Sequence, residues 1–326
     1  MRLSIVVPVY QNARNLPATL PRLLALVPKL APIDLELVFV DDGSTDGSRA
    51  LIETAQAAHP RIVTLVAHTR NFGQQAALLT GLGQARGDAV GIVSADLQDP
   101  CEIFVEMARF WREGARLVIG ERTGRDDGWF TDLLSHVHWR LIARFAVPGF
   151  PRMGFDFCLM DRALAEDLVR YGQGHVNLFV TLGWLRPPDV RLPYIRGKRE
   201  GGRSQWSFLK RVDLALTTFL SFTTLPLRGC LYLGGTVSAA SFVYLARIVV
   251  LSLSGETVVI GWSSLAALIT FFGGLSVLIL GILGEYVWQI VAATRKRPHA
   301  MVDWVRPAAA DNRQAAGRSA DCEPRG

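Results

Sequence analysis

Asp96 and Gln98 carry oxygen ligands at a spacing that suits a hard cation. They follow the apolar run Ala89–Ser94, and side chains two residues apart on extended backbone point to the same side. A carboxylate and an amide oxygen can share Mg²⁺ or Mn²⁺, which keeps other ligand positions for substrate phosphates. The alternative is a polar loop before a helix, and it explains Asp99 as an N-cap and Pro100 in the first turn. We therefore assign the metal to Asp96 and Gln98 only.

A second polar segment, residues 41–48 with the sequence DDGSTDGS, also follows an apolar run. Asp41 and Asp42 are paired acids at the end of a predicted buried strand, where hydrogen bonds to the uracil or ribose of a nucleotide would account for them. A turn and a helix cap explain Asp46 and Ser48 equally well.

Both polar segments lie between apolar runs that predict buried parallel strands. The runs are rich in β-branched residues and do not alternate with polar ones, and helical patterns fill the gaps between them. The predicted strands are Ser4–Val9, Leu35–Val40, Arg61–Ala67, Ala89–Ser94 and Leu117–Gly120, and the predicted helices are Leu16–Val27, Ser48–Ala58, Gln74–Gln84 and Glu102–Glu113. This succession indicates an α/β fold with a parallel sheet and helices on both faces. Ligands bind such sheets at the carboxyl ends of the strands.

The C-terminal third holds two long stretches that are nearly free of charge. Residues 229–255 contain only Arg247, and residues 257–284 contain no charged residue. A bilayer core needs about 20 apolar residues in a helix, so we predict a hairpin of two transmembrane helices. Basic residues flank both outer ends, whereas the connecting loop holds only Glu256. The positive-inside rule then places the N-terminal domain in the cytoplasm, and four cysteines without metal spacing agree with a reducing compartment.

The net charge of +6 is concentrated before the first apolar stretch. Residues 186–211 hold eight basic and two acidic side chains, which equals the whole excess. A basic stretch of this kind suits nucleic acid, a membrane surface or an anionic substrate. The helical pattern of residues 204–227 predicts amphipathic helices in the membrane interface. The membrane surface and an anionic acceptor there are therefore favoured, and we expect no nucleic-acid partner.

We divide the chain into four parts on these grounds. They are a cytoplasmic domain (1–203), amphipathic juxtamembrane helices (204–227), two transmembrane helices (228–292) and a cytoplasmic tail (293–326). From Pro307 on, the tail is rich in Ala, Arg and Asp, and we expect it to be disordered.

Taken together, the motifs resemble a family 2 glycosyltransferase of GT-A fold. The branch it resembles is the dolichol-phosphate-mannose-synthase-like one that acts on polyprenyl phosphates, and the resemblance runs from Arg2 to about Trp304. The residues that carry it are Pro8 and Tyr10, DDGS at 41–44, RNFG at 70–73, Asp96 with Gln98, GER at 120–122 with Arg125, GFDF at 154–157, REGGRSQW at 199–206 and GILGEY at 281–286.

The resemblance implies a mixed, mostly parallel sheet and a set of site residues. It implies a nucleotide site at Pro8, Tyr10, Asp41, Asp42, Asn71 and Asp96, with Mg²⁺ or Mn²⁺ at Asp96 and Gln98. It implies that Arg122, Arg125, Arg199, Gly202 and Ser204 bind the acceptor phosphate, and that Asp156 and Asp96 are catalytic. A phosphate oxygen is deprotonated at neutral pH, so Asp156 would orient the acceptor or a sugar hydroxyl rather than act as a strong base. A helix cap or a partner for Arg152 is the alternative for Asp156.

The implied reaction is inverting transfer of a hexose, with UDP-glucose or a related UDP-sugar as the donor. The acceptor would be undecaprenyl phosphate in the cytoplasmic membrane of a bacterium. The product would serve envelope glycan modification, such as that of lipopolysaccharide, and the resemblance suggests a homotetramer.

Three departures from the family pattern bear on this interpretation. Ser94 stands where the family usually has an acid, Gln11-Asn12 replaces the usual Asn-Glu, and Cys158 replaces an Arg. An inactive membrane scaffold is one alternative, with Ser94 as the sign of decay. A processive polysaccharide synthase is another, but its Gln-x-x-Arg-Trp motif is absent from the sequence.

Overall fold

The structure is a computed structural model. It describes residues 1–96, 98–122, 139–140, 142–147, 150–151, 154–172, 177–194, scattered helical positions between 229 and 254, 262–294, and 298–309. The chain divides into two compact units, 1–215 with 298–326, and 216–297.

The described part of the first unit contains one sheet of eight strands. In chain order they are β1 (Arg2–Val9), β2 (Asp34–Asp41), β3 (Val63–His68), β4 (Ala89–Ile92), β5 (Leu117–Arg122), β6 (Cys158–Asp161), β7 (Val190–Tyr194) and β8 (Val302–Arg306). Their order across the sheet is β7-β5-β6-β4-β1-β2-β3-β8. Only β6 and β8 run antiparallel to their neighbours, so the predicted mixed, mostly parallel sheet is confirmed.

Seven helices accompany the sheet in the described ranges of this unit. They are α1 (Leu16–Leu24), α2 (Leu26–Leu30), α3 (Ser48–Ala58), α4 (Gln74–Gln84), α5 (Ile103–Arg112), α6 (Arg162–Tyr171) and α7 (Leu178–Leu185), with a π-helical turn at Ile142–Ala146. The helix predicted over Leu16–Val27 instead ends at Leu24 and restarts at Leu26. Pro28 explains the break, because it cannot donate a hydrogen bond to the carbonyl of Leu24 four residues earlier.

Helices cover both faces of the sheet, as the sequence predicted. On one face α4 packs so closely on β1 that a Cβ on Gly81 would lie 2.3 Å from Val6 Cγ1. On the other face α5 packs on β4, where a Cβ on Gly91 would lie 2.4 Å from Phe104 Cε1. The central strands are therefore buried on both sides, which is why their sequences are apolar without alternation.

The segment 298–309 returns to the sheet after the apolar region. Strand β8 pairs with β3, and Ala308 N–H donates to Thr64 Oγ1 at 2.9 Å. Gln56 Nε2 also donates to the carbonyl of Arg306 at 2.7 Å. The sequence predicts a tail here, because a short, half-exposed edge strand with two charges lacks the pattern of a strand. The prediction of disorder from Pro307 on is wrong for residues 307–309, because Ala308 is buried and Ala309 N–H donates to the carbonyl of Pro60 at 2.6 Å. Residues 310–326 lie outside the described residues.

The second unit contains α8 (Trp262–Thr294), a helix of 33 residues. By length and composition its window Phe271–Trp288 could cross a membrane, and it is the one such helix among the described residues. Most of the first predicted span and all of the predicted juxtamembrane helices (204–227) lie outside the described residues. The transmembrane hairpin therefore stays a prediction.

Candidate functional site

The predicted site residues that the structure describes meet at one edge of the sheet. Strands β1 to β5 and β7 end at this edge, and the antiparallel strand β6 begins there. The polar segments that follow each strand therefore become neighbours, although they are far apart in the chain. This is the edge at which parallel α/β sheets bind ligands.

The loop after β1, which follows Pro8 and includes Tyr10, is hydrogen-bonded to the loop after β2. Asn12 N–H donates to Ser48 Oγ at 2.9 Å, and Ala13 N–H donates to Asp46 Oδ2 at 2.9 Å. These bonds connect the two loops that were predicted to bind the nucleotide. They give Asp46 and Ser48 a role beyond the local turn.

Asp46 also accepts hydrogen bonds from the N–H of Ser48 at 3.1 Å and from its Oγ at 2.5 Å. Burial alone would raise the pKa of Asp46. The hydrogen bonds from Ser48 and Ala13 outweigh that effect and lower the pKa below its usual range. Asp46 is therefore held as a carboxylate.

Asp42 is buried and holds the loop after β3. Its Oδ1 accepts from His68 Nδ1 at 2.8 Å and from Phe72 N–H at 2.9 Å, and its Oδ2 accepts from Gly73 N–H at 2.8 Å. In the same loop Asn71 Oδ1 accepts from Gly73 N–H at 2.9 Å. Asp42 thus sets the conformation of the loop that presents Asn71.

Asp41 is fully buried and is also engaged by protein donors. Its Oδ1 accepts from Ser44 N–H at 3.1 Å, and its Oδ2 accepts from Arg49 Nε at 2.8 Å. The two acids therefore shape the loops around the predicted nucleotide site. Direct contact of either acid with a nucleotide stays a prediction.

Asp96 and Gln98 lie on the loop after β4, and both are half-buried. Thr19 Oγ1 on α1 donates to the carbonyl of Ala95 at 2.8 Å, which fixes the backbone just before Asp96. Gln98 N–H donates to Asp96 Oδ1 at 3.3 Å, so the loop folds back on itself.

The donor set of this loop fits a hard divalent cation, because it consists of one carboxylate and one amide oxygen. Among the described residues no three His, Cys, Asp or Glu side chains form a metal site by themselves. A cation at Asp96 and Gln98 would therefore have ligand positions left for water or for the oxygens of a bound phosphate.

Asp156, just before β6, is paired with Arg122 at the end of β5. Arg122 Nη2 donates to Asp156 Oδ2, and its Nε donates to Tyr194 Oη at 3.2 Å. Tyr194 at the end of β7 in turn donates to Asp99 Oδ1 at 2.6 Å. The resemblance assigned Arg122 to the acceptor phosphate, whereas here its guanidinium is engaged by Asp156 and Tyr194.

Burial and charge keep these groups in fixed protonation states. Burial, together with the carboxylates of Asp156 and Asp99, raises the pKa of Tyr194 far above its usual value. Burial alone would lower the pKa of Arg122, but Asp156 and Tyr194 outweigh it and raise the pKa. Tyr194 therefore stays a hydroxyl donor, and Arg122 stays a cation beside Asp156.

The sequence motifs did not indicate Tyr194, and they gave Asp99 the wrong role. Asp99 does not cap α5, which begins at Ile103, and it is almost fully buried against Tyr194. The position of Tyr194 at the carboxyl end of a strand was the signal that could have found it. Cys158, which replaces the family's Arg, is buried, and burial and Asp156 raise its pKa, so it is a neutral packing residue.

The remaining predicted acceptor residues lie outside the described residues. They are Arg125, Arg199, Gly202 and Ser204.

Comparison with known proteins gives a consistent result. The family model described as glycosyl transferase family 2 matches residues 4–169. A bactoprenol glucosyl transferase of Shigella phage SfV is 32% identical over 299 residues, covering 91% of this chain and 97% of that protein. A prophage bactoprenol glucosyl transferase homolog of Escherichia coli (strain K12) is 31% identical over 307 residues, covering 94% and 100%.

Among solved structures, the mannosyltransferase PcManGT from Pyrobaculum calidifontis aligns with a TM-score of 0.46 at 18% identity, covering 91% of this chain and 88% of that one. A likeness at this level adds no argument about the site. The family match and the near-complete alignment with the two sequence relatives show that the chain belongs to glycosyltransferase family 2.

Proposed function

We propose that this enzyme transfers glucose from UDP-glucose, or a related hexose from its UDP-sugar, to polyprenyl (undecaprenyl) phosphate with inversion at the anomeric carbon. The observation that carries the proposal is the 32% identity over 299 residues to a relative named bactoprenol glucosyl transferase, across 97% of that relative.

The loops after β1, β2 and β3 would bind the donor nucleotide. Pro8 at the end of β1, Tyr10 and Asn71 lie at one edge of the sheet, and Asp41 and Asp42 stabilise the loops through partly buried hydrogen bonds. A site that is already organised before the donor binds loses less conformational entropy on binding.

Asp96 and Gln98 would hold Mg²⁺ or Mn²⁺ together with the donor diphosphate. A cation there stabilises the negative charge that develops on the departing nucleoside diphosphate. Ser94 offers a weaker ligand than the carboxylate usual at its position. Asp96 and Gln98 would therefore supply the protein's ligands to the cation.

Asp156 would orient an acceptor group or a sugar hydroxyl next to the reacting carbon. Arg122 holds its Oδ2, whereas its Oδ1 is buried and accepts no hydrogen bond from the described residues. A buried acceptor without a donor costs free energy, and a substrate hydroxyl would satisfy it. The acceptor phosphate oxygen is already ionised, so orientation and electrostatics supply the acceleration.

The acceptor would come from the membrane. Arg125, Arg199, Gly202 and Ser204 would hold its phosphate beside the bilayer surface, with the hairpin in the bacterial cytoplasmic membrane and the sheet domain in the cytoplasm. The protein would act as a homotetramer. Its product would serve envelope glycan modification, such as that of lipopolysaccharide.

Transfer to lipid is the direct test. Membranes containing the protein are incubated with undecaprenyl phosphate, Mn²⁺ and each of a panel of radiolabelled nucleotide sugars, and the label that enters the organic phase is counted. We expect label from UDP-glucose, and its loss on chelation of divalent cations.

The matched pair of variants is Asp96→Ala and Asp167→Asn. Asp167 is an exposed acid on α6, away from the sheet edge. We expect Asp96→Ala to lower transfer by about 100-fold or more, the scale on which loss of one charge-stabilising group acts, and Asp167→Asn to leave it unchanged. Full activity of Asp96→Ala would contradict the metal role, and absence of lipid-linked label with every donor would contradict the proposed function.

A further inference from the structure

Two side chains of the segment 298–306 are connected to Asp41 and Asp42 through one or two intervening residues. His299 lies at the start of this segment, and Trp304 lies in β8. The segment follows α8 in the chain and belongs to the same unit as the sheet. The proposed function assigns it no role.

The first contact is a chain of hydrogen bonds from His299 to Asp42. His299 Nε2 lies 3.3 Å from Thr80 Oγ1, Thr80 Oγ1 lies 3.0 Å from His68 Nε2, and His68 Nδ1 lies 2.8 Å from Asp42 Oδ1. Asp42, His68 and Thr80 are all buried. His299 itself is half-buried, so it closes the outer end of the chain.

Donors and acceptors in this chain can be matched without conflict. The Asp42 carboxylate only accepts, so His68 Nδ1 donates to it. If His68 Nε2 carries no proton, it accepts from the Thr80 hydroxyl, and Thr80 Oγ1 accepts from His299 Nε2–H. If it carries one, it donates to Thr80 Oγ1, and the Thr80 hydroxyl donates to His299 Nε2. Burial lowers the pKa of His299, which agrees with a neutral ring. His299 thus fixes the direction in which the Thr80 hydroxyl points.

The second contact joins β8 to Asp41. The guanidinium carbon of Arg49 lies 5.9 Å from the centre of the Trp304 ring, and Arg49 Nε donates to Asp41 Oδ2 at 2.8 Å. A cation over an aromatic face is attracted to it. Trp304 therefore limits where Arg49, and with it the loop after β2, can lie.

Both contacts lead to the loops that present the nucleotide-binding residues. Asp42 holds the N–H groups of Phe72 and Gly73 around Asn71, and Asp41 holds Ser44 N–H. Each acid thus has a loop on one side and, through one or two residues, the C-terminal segment on the other.

We infer that His299 and Trp304 are positioning residues for the donor nucleotide, which they affect through Thr80, His68 and Arg49 without touching it. The inference rests on the proposed function, since it takes the nucleotide to be the ligand of these loops. It adds the C-terminal segment to the donor site.

The test is direct binding of UDP with Mn²⁺ by calorimetry, together with the KM for UDP-glucose and kcat, on the full-length protein. Loss of one hydrogen bond of ordinary strength corresponds to about a five-fold change in affinity. We expect His299→Ala and Thr80→Val to weaken UDP binding and raise the KM by about that factor, with kcat nearly unchanged. His299→Gln retains a side-chain N–H donor and is expected to restore most of the binding.

Gln56→Ala is the matched control. Gln56 bonds to the carbonyl of Arg306 at the far end of β8, and within the described part of the chain it makes no hydrogen bond to His299, Thr80 or His68. We expect this variant to bind UDP like the wild type, even if its thermal midpoint falls as much as that of His299→Ala. Equal loss of UDP binding in Gln56→Ala, with no recovery in His299→Gln, would show a purely structural role and overturn the inference.

The outcomes separate the inference from the proposed function. A wild-type protein that binds UDP but transfers no sugar to lipid contradicts the proposed function alone. A His299→Ala variant that binds UDP as the wild type does contradicts the inference alone. A wild-type protein that binds no UDP overturns both.

Discussion

Tyr194 joins two acids at the site through Arg122. Its hydroxyl donates to Asp99 Oδ1 at 2.6 Å and accepts from Arg122 Nε at 3.2 Å, and Arg122 holds Asp156. The orientation of Asp156 therefore depends on a residue at the end of another strand, and the loop that carries Asp96 is linked to the same network through Asp99.

Replacement of Tyr194 by Phe removes only this hydroxyl. We expect the protein to lose about 1–3 kcal/mol of stability, because Asp99 loses a buried donor. We also expect kcat to fall while the KM for the donor changes little, because Asp156 would act on the chemistry rather than on nucleotide binding. Lipid-transfer kinetics and the thermal midpoint measure both effects.

Tyr171→Phe is the control, since Tyr171 is exposed on α6. An unchanged kcat in Tyr194→Phe would show that Arg122 holds Asp156 without help from Tyr194.

At the residue scale, the location of the candidate site residues could be predicted from the sequence, whereas their hydrogen-bond partners could not. Asp96 and Gln98 were predicted from residue type and spacing, and Asp156 from the resemblance. All three lie at the predicted edge of the sheet, and their roles stay predictions. The internal bonds of Asp42 could not be inferred, since they require His68 and the loop after β3. Such partners are brought together by strand order, which no local pattern encodes.

At the element scale, the loop after β2 depends on Gly43. Its φ is +71°, and a Cβ there would lie 2.6 Å from the carbonyl carbon of Arg70 in the neighbouring loop. An alanine would have to adopt an unfavourable conformation and push the backbone of the loop after β3 away. This is a point where two loops of the predicted nucleotide site touch directly.

We expect Gly43→Ala to raise the KM for the donor and to lower the thermal midpoint. Gly47→Ala serves as the matched variant, because Gly47 has a φ of +88° but no atom within 4 Å of the position that a Cβ would take. It should cost about 1 kcal/mol for the left-handed conformation alone and leave donor binding intact. Equal effects of the two variants on the KM would contradict a role for the close approach of the loops.

The strands β1 to β5 and the helices α3 and α4 could be predicted from the sequence because each has a strong local pattern. Strands β6 and β8 could not, since the first has four residues and the second is half-exposed. Both run antiparallel and receive their strand conformation from the neighbours they pair with. The mixed character of the sheet was therefore predictable only by resemblance.

At the scale of the whole molecule, several carboxylates make folding sensitive to acid. Burial alone would raise the pKa values of Asp46, Glu102 and Asp189, but hydrogen bonds and neighbouring cations outweigh it and lower all three. A group whose pKa is lower in the folded state contributes stability above its unfolded pKa of about 4 and loses that contribution as the pH falls through its folded value.

We therefore expect the thermal midpoint in detergent to fall as the pH decreases from about 5 to about 3. The thermal midpoint of Asp46→Asn should lie below that of the wild type at about pH 5 and approach it as the pH falls to about 3, because the variant lacks one of the titrating groups. The effect of this exposed acid is small, so the comparison is made between paired melting curves at each pH. A constant difference between the two proteins across the interval would contradict the role of Asp46.

Strand β8 also constrains the order in which the protein can form during synthesis. In this strand Arg306 pairs with Leu65 of β3. More than two hundred residues are synthesised after Leu65 before its partner leaves the ribosome. In that interval α8 is made, and the exposed edge of β3 is open to pairing with other chains. Completion of the sheet thus comes after the synthesis of α8, and a chain interrupted after α8 leaves the edge of β3 exposed to intermolecular pairing.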